Sequence, residues 1–350
     1  MGLLDEPARR ERLDPGRMLD AIRDLPRQCR AAWEEAQAFS LPPRYRGARR
    51  LAVLGMGGSA IAGDYLRALG PAVPMASVRS YDIPPWVDGE CLVIASSYSG
   101  NTEETLSAFQ QALSAGALVV AVTSGGRLAE LARSAGVPIF RFHYSAQPRA
   151  ALGYSLMPLL AIAHQAGLLP DPAPAVAEAI ALLERERERL DAVVPSEANP
   201  AKRLAERLHG RLPVVYGGGH LVAVAQRWKT QLNENAKVWA FYEELPEANH
   251  NAILGYGLPP QVARLACVVF LRSPALHPRV LLRYQFTAQA LAEASVGQET
   301  VEVPGESALA QLLAATLMGD YVSYYLALLN QVDPTPVPTI DALKAWLASR

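Results

Sequence analysis

Two short stretches place glycines and small hydroxyl side chains where an apolar run gives way to a helical pattern: "GMGGSA" over 55–60 and "SSYSGNT" over 96–102. Such loops can hold a tetrahedral phosphate. Glycine lets the backbone approach closely, helix-opening N–H groups lack partners, and the hydroxyls of Ser97, Ser99 and Thr102 add donors. Gly55, Gly57 and Ala60 also satisfy the loose G-x-G-x-x-G/A spacing of a dinucleotide fold, with Asp82 a loose match to the acid that fold wants. No GK[ST] ending follows, which excludes a P-loop by pattern. A plainer reading stays open: Ser99 or Thr102 caps the next helix, and Glu103 or Glu104 lies near its positive end.

Loops of this kind need strands to carry them. After a charged, helical leader ("RMLDAIRDLPRQCRAAWEEAQAF"), short apolar runs alternate with amphipathic stretches, the grammar of βαβ units in a parallel sheet. "RRLAVLG" leads to a helix over Ser59–Leu69, and "CLVIASS" to one over about 102–115; "ALVVAVTS" and "VPIFRF" supply further strands around the helix "RLAELARSA". This first unit closes near Arg149. A helical stretch follows whose "ERERER" run reads as a solvated face. The opening grammar then recurs: "LPVVYGGGHLVAVAQRWKTQLNENAK" again reads strand, glycine loop, helix, with "LACVVFL" and "ETVEVPG" as later strands. An internal duplication accounts for it. The last helices are "ALAQLLAATLMGDYVSYYLALLN" and, past the connector "DPTPVP", a short tail helix with Lys344.

Composition narrows the classes of function. The chain has 350 residues, half of them hydrophobic, enough for two domains with sizeable cores. A net charge of −1 from 33 basic and 34 acidic residues gives no bulk reason to expect nucleic acid or an anionic membrane as partner. Cys29, Cys91 and Cys267 are widely spaced and read as incidental thiols of a reducing cytoplasm. The N-terminus lacks an apolar signal region, and no apolar run is expected to approach a membrane span.

"GMGGSAIAGD" and "SSYSGNTEET" resemble the two sugar-phosphate loops of sugar isomerase (SIS) domains, while "QRWKTQLNENAK", "EELPEANHNAI" and "DPTPVPTIDALK" resemble the bifunctional phosphoglucose/phosphomannose isomerase family. The resemblance runs from the first glycine loop to the tail. It implies an α/β chain of two doubly wound, parallel-sheet SIS domains in tandem, over 1–152 and 153–350, with a helical leader and a tail helix. It also implies that Gly57, Gly58, Ser59, Ser97, Ser99 and Thr102 surround the substrate phosphate. Arg149 then stands beside the reacting carbons, Glu234 is the base, His250 serves ring opening, and Lys344 is the tail lysine. In this family the histidine reaches the site from the other subunit, so a homodimer is implied. The second loop, "YGGGHLV", lacks both GGS and an SSYSGNT partner, which argues that only the first unit binds phosphate.

The implied chemistry is coherent. Aldose–ketose isomerisation moves a proton between C1 and C2 through an enediolate, and a shielded carboxylate can take and return it. A fixed cation suits Arg149, since charge stabilisation is large in a partly dry site. Histidine suits acid/base work near neutral pH. From spacing alone, Glu234 reads first as a helical glutamate paired with Lys237, Arg149 equally as a loop arginine, and Lys344 as part of an amphipathic tail. No His/Asp/Cys ligand spacing is present, so neither metal nor cofactor is expected. Two other classes compete: a non-catalytic SIS sensor of sugar phosphates, which has no need of Glu234, His250 and Lys344 together, and a nucleotide-dependent oxidoreductase.

Overall fold

The computed structural model describes residues 2–350. Among the described residues, nine strands form two all-parallel sheets. The first contains β1 (Arg50–Leu54), β2 (Met75–Val78), β3 (Cys91–Ser97), β4 (Leu118–Thr123) and β5 (Ile139–Arg141), in the order β2-β1-β3-β4-β5. The second contains β6 (Leu212–Gly218), β7 (Phe241–Leu245), β8 (Ala266–Arg272) and β9 (Gly297–Glu302), in the order β7-β6-β8-β9. Every residue of β3 is buried because helices cover both faces of the sheet, so its sequence is a continuous apolar run rather than an alternation.

Both sheets share a plan: the first strand pairs with the second on one side and the third on the other. The direction of winding therefore reverses between β1 and β3, and again between β6 and β8. A crevice opens at such a switch, beyond the carboxyl ends of the strands. "GMGGSA" follows β1 and "SSYSGNT" follows β3, so the two loops flank the first switch.

The helix Ala308–Leu329 lies at the centre of the molecule, with all of Leu309–Leu329 buried. It packs on the helices Ala173–Leu190, Pro200–Leu208 and Val222–Glu234 and on the leader helix Met18–Arg23. Thr316 hydrogen-bonds Tyr65 of the first unit, and the Ala315 carbonyl accepts from the Trp228 indole at 2.8 Å. This corrects the expectation that no apolar run approaches a membrane span, since by length and hydropathy this helix qualifies. It is apolar all round because protein surrounds it.

The leader is integral to the fold. Its helix Leu25–Ala38 buries Gln28, Cys29, Ala32 and Ala36, one stripe at helical spacing, against the helix Leu152–Gln165. A Cβ on Gly153 would stand 2.7 Å from the Gln28 side chain, so glycine permits the contact. Nearer the N-terminus, Asp5 accepts from the fully buried Lys202 ammonium at 2.8 Å. The three cysteines are buried and free.

Candidate active site

The first glycine loop is built by two constraints. A Cβ on Gly55 would stand 2.9 Å from the Ser96 carbonyl, so the ends of β1 and β3 touch through backbone alone. Gly57 adopts φ +51°, in the left-handed region, and opens the helix Gly57–Ala68. No side chain caps that helix, and the N–H groups of Gly57 and Gly58 find no acceptor among the described residues. Ser59, in the same first turn, is buried.

The second loop is pinned from behind. Gly100 has φ +70°, and a Cβ there would stand 1.9 Å from the Gly125 carbonyl; the Gly100 carbonyl accepts from Leu128 N–H at 2.8 Å. The Ser97 and Thr102 hydroxyls lie 3.1 Å apart, and Ser99 Oγ accepts from Asn101 N–H at 3.2 Å. Thr102 occupies the N-cap position of the helix Glu103–Ser114, yet its side chain makes no capping bond. The capping alternative therefore fails in its hydrogen-bonded form. The helix-opening amides of Glu103 and Glu104 have no acceptor among the described residues. Two uncapped helix N-termini and three hydroxyls thus meet at one crevice, an arrangement suited to a phosphate.

Arg149 adjoins them. A Cβ on Gly58 would stand 3.2 Å from the Pro148 carbonyl and 3.5 Å from Arg149 Cα. Arg149 sits on the short 3-10 turn Pro148–Ala150 and is buried. Its Nε donates to Asn235 Oδ1 at 2.7 Å, and its Nη2 donates to the carbonyls of Pro334 and Thr335, each at 2.7 Å. Its Nη1 stands 3.7 Å from Glu234 Oε2. Burial pulls the Arg149 pKa below the ordinary arginine value, against the stabilising charge of Glu234.

The turn is held on both sides. Arg227 donates to the Arg149 carbonyl, while Gln28 of the leader donates to the Ala150 carbonyl at 2.9 Å. Arg227 is paired with Asp320 at 3.3 Å, and Gln231 donates to the same carboxylate at 2.7 Å. Burial pushes the Asp320 carboxyl up, against the pull of Arg227.

Glu234 ends the helix Val222–Glu234 with its side chain 29 % exposed. The expected alternative of a Glu234–Lys237 pair does not form. Lys237 lies past the helix end at φ +57° and donates to the backbone carbonyls of Glu234 and Pro336 instead. Burial, then repulsion from Arg149, lowers the Lys237 pKa.

Neither remaining expected residue shares a hydrogen bond or ion pair with this cluster among the described residues. His250 ends the 3-10 turn Glu247–His250, is exposed, and makes no hydrogen bond or ion pair among the described residues. Lys344 lies on the exposed tail helix Pro338–Ala348, 4.0 Å from Asp341. Sequence reading missed Asn235, Gln28, Arg227 and Asp320 as supports of Arg149. The polar run "QLNENAK" was a signal for the first of these.

The second glycine loop is filled by its own chain. A Cβ on Gly218 would stand 2.8 Å from Val280, and one on Gly219 3.2 Å from Leu276, whereas nothing lies within 4 Å of one on Gly57. His220 bonds Gln311 at 2.7 Å, and its burial lowers its pKa. His277 caps the helix Pro278–Glu293 by accepting from Arg279 N–H.

The family model described as "Bacterial phospho-glucose isomerase C-terminal SIS domain" matches residues 197–347. A bifunctional phosphoglucose/phosphomannose isomerase of Caldicellulosiruptor bescii is 40% identical over 335 residues, covering 95% of this chain and 99% of that one. One of Aquifex aeolicus is 35% identical, over 90% of this chain and 94% of its own. Among solved structures, a hypothetical protein of Thermus thermophilus shares the fold at TM-score 0.73 and 17% identity, over 95% of this chain and 90% of its own. With the fold, the paired loops and near full-length similarity in agreement, the chain belongs to the bifunctional phosphoglucose/phosphomannose isomerase family.

Proposed function

We propose that this protein is an enzyme interconverting glucose 6-phosphate and mannose 6-phosphate with fructose 6-phosphate. The observation that carries the reading is the juxtaposition of two uncapped helix-opening loops with Arg149, whose Nη1 lies 3.7 Å from the Glu234 carboxylate. Gly57, Gly58, Ser59, Ser97, Ser99 and Thr102 hold the phosphate. Glu234 takes the proton from C2 of the open-chain aldose and returns it to C1. Arg149 offsets the negative charge that develops on the enediolate oxygens. Both aldoses collapse to one enediolate once the C2 proton leaves, so one base serves two substrates.

The units 1–152 and 153–350 divide the labour, phosphate binding in the first and the base in the second; the occupied glycine loop after β6 supports that division. His250 supplies the ring-opening acid/base from the other subunit of a homodimer, with Lys344 assisting. Its lack of any partner among the described residues supports this, as do the exposed Trp239, Leu254, Leu258 and Phe286 in the same half of the sequence. The enzyme works in the cytoplasm, without metal or cofactor. Coupled assays with each aldose, chelator present, test the reading: both should turn over, and no turnover of either would sink it.

A further inference from the structure

Two buried arginines stand one behind the other, and they are satisfied differently. Arg227 faces a carboxylate, Asp320, at 3.3 Å, the usual solution for a charge removed from water. Arg149 is held almost entirely by neutral oxygens: Asn235 Oδ1, the Pro334 carbonyl and the Thr335 carbonyl, all at 2.7 Å. Its nearest carboxylate, Glu234, is at 3.7 Å. Nη1 donates no hydrogen bond among the described residues, and its one close charged neighbour is the Glu234 carboxylate.

Asn235 is fully buried. Its Nδ2 donates to Ser323 Oγ at 3.0 Å, and that hydroxyl donates to the Asp320 carbonyl at 2.8 Å. The amide can therefore present only its oxygen to Arg149. We propose that Asn235 is a positioning residue that aims Arg149 Nη1 at the reacting oxygens while adding no negative charge beyond that of Glu234. An aspartate would fix Nε equally well, but it would add a second carboxylate, hydrogen-bonded to the guanidinium, to the one Glu234 already supplies. An apolar side chain would leave a buried N–H without an acceptor. The inference deepens the proposed function and rests on its assignment of Arg149.

The test uses Asn235→Asp and Ser323→Ala in the full-length chain, with steady-state kinetics on glucose 6-phosphate from about pH 5.5 to pH 9. The charged groups around the cluster are Arg149, Glu234, Arg227, Asp320, Lys237 and Asp333. For Asn235→Asp we expect KM within about twofold and kcat lower by about a hundredfold, the scale of losing one pre-organised charge contact. The acid limb of its pH profile should move to higher pH, because a new carboxylate stands beside the base. A residue that merely filled space would leave that limb in place. Ser323→Ala, which frees the amide to turn, should lower kcat about tenfold with the limb unmoved. An active unaltered enzyme whose Asn235→Asp variant keeps its kcat and its acid limb overturns the inference. So does a variant whose losses track its melting temperature with no movement of the limb. If Asn235→Asp does not fold, an unchanged kcat in Ser323→Ala overturns it. No turnover by the unaltered chain overturns the underlying reading, a separate result.

Discussion

Gly58 and Arg149 meet backbone to backbone: a Cβ on the glycine would stand 3.5 Å from Arg149 Cα and 3.2 Å from the neighbouring Pro148 carbonyl. The first glycine loop and the turn carrying Arg149 are thus separated by one missing methyl group. Gly58→Ala should push the turn by a few tenths of an ångström without unfolding the chain. We expect kcat to fall about tenfold, since small displacements of a positioned group are costly. A full titration of both kinetic constants checks this.

Glu234→Gln keeps the shape of the proposed base and removes its ability to accept a proton. Isomerisation of either aldose should fall by at least about a hundredfold, the lower range for a general base. Affinity for a six-carbon phosphate inhibitor, measured by calorimetry, should stay within a few fold. Retained turnover would remove Glu234 from its role.

A shared site makes a further prediction about mixtures. Glu234→Gln and His250→Ala should each be inactive alone. If the histidine crosses between subunits, mixing the two after dissociation should restore about a quarter of normal activity, because half the dimers are mixed and each holds one intact site. No recovery would place His250 and Glu234 in the same chain's site, or His250 outside any site.

The leader reaches the Arg149 turn through Gln28, which donates to the Ala150 carbonyl and to the Tyr144 hydroxyl, both at 2.9 Å. Gln28→Met keeps the volume and removes these bonds, together with a longer one to the Ala21 carbonyl at 3.3 Å. The Arg149 turn loses one of its two clamps, and we expect kcat to drop about tenfold with a smaller change in KM. An unchanged kcat would reduce the leader to a packing element.

Asp5 links stability to pH. Burial raises its carboxyl pKa, but the hydrogen bonds from Lys202 and Ser196 outweigh that, and the net shift is downward. A depressed folded-state pKa means that the contribution is present above the unfolded value, near 3.8, and is lost as pH falls through the folded one. Asp5→Asn should lower Tm by about 5 °C at pH 7. The gap between variant and parent should close below about pH 4, as the parent's own carboxylate protonates. Melting curves at several pH values check both parts.

Much of the first sheet was legible because β3 and β4 are apolar on both faces and end in turn residues. β2 and β7 were not. Each lies at a sheet edge, where "MASV" is half-buried and "FYEEL" mostly exposed, so neither shows the signature of a covered strand. The two loops announced themselves by composition. The Arg149 cradle could not, because Gln28, Arg149, Asn235 and Pro334 come from four distant parts of the sequence and meet only in the folded chain. Lys237 misled for a local reason. Its spacing from Glu234 suits a helix that in fact stops at Glu234.

The central helix sets the order in which the molecule can be completed. Ala308–Leu329 leaves the ribosome after both sheets, yet it supplies the surface on which helices from both halves pack. Until it docks, those helices have exposed apolar stripes and the helix itself is a greasy rod in search of cover. Synthesis that stops short of residue 308 yields a shell without its axle, and such a fragment is material for chaperones and proteases rather than a slower enzyme.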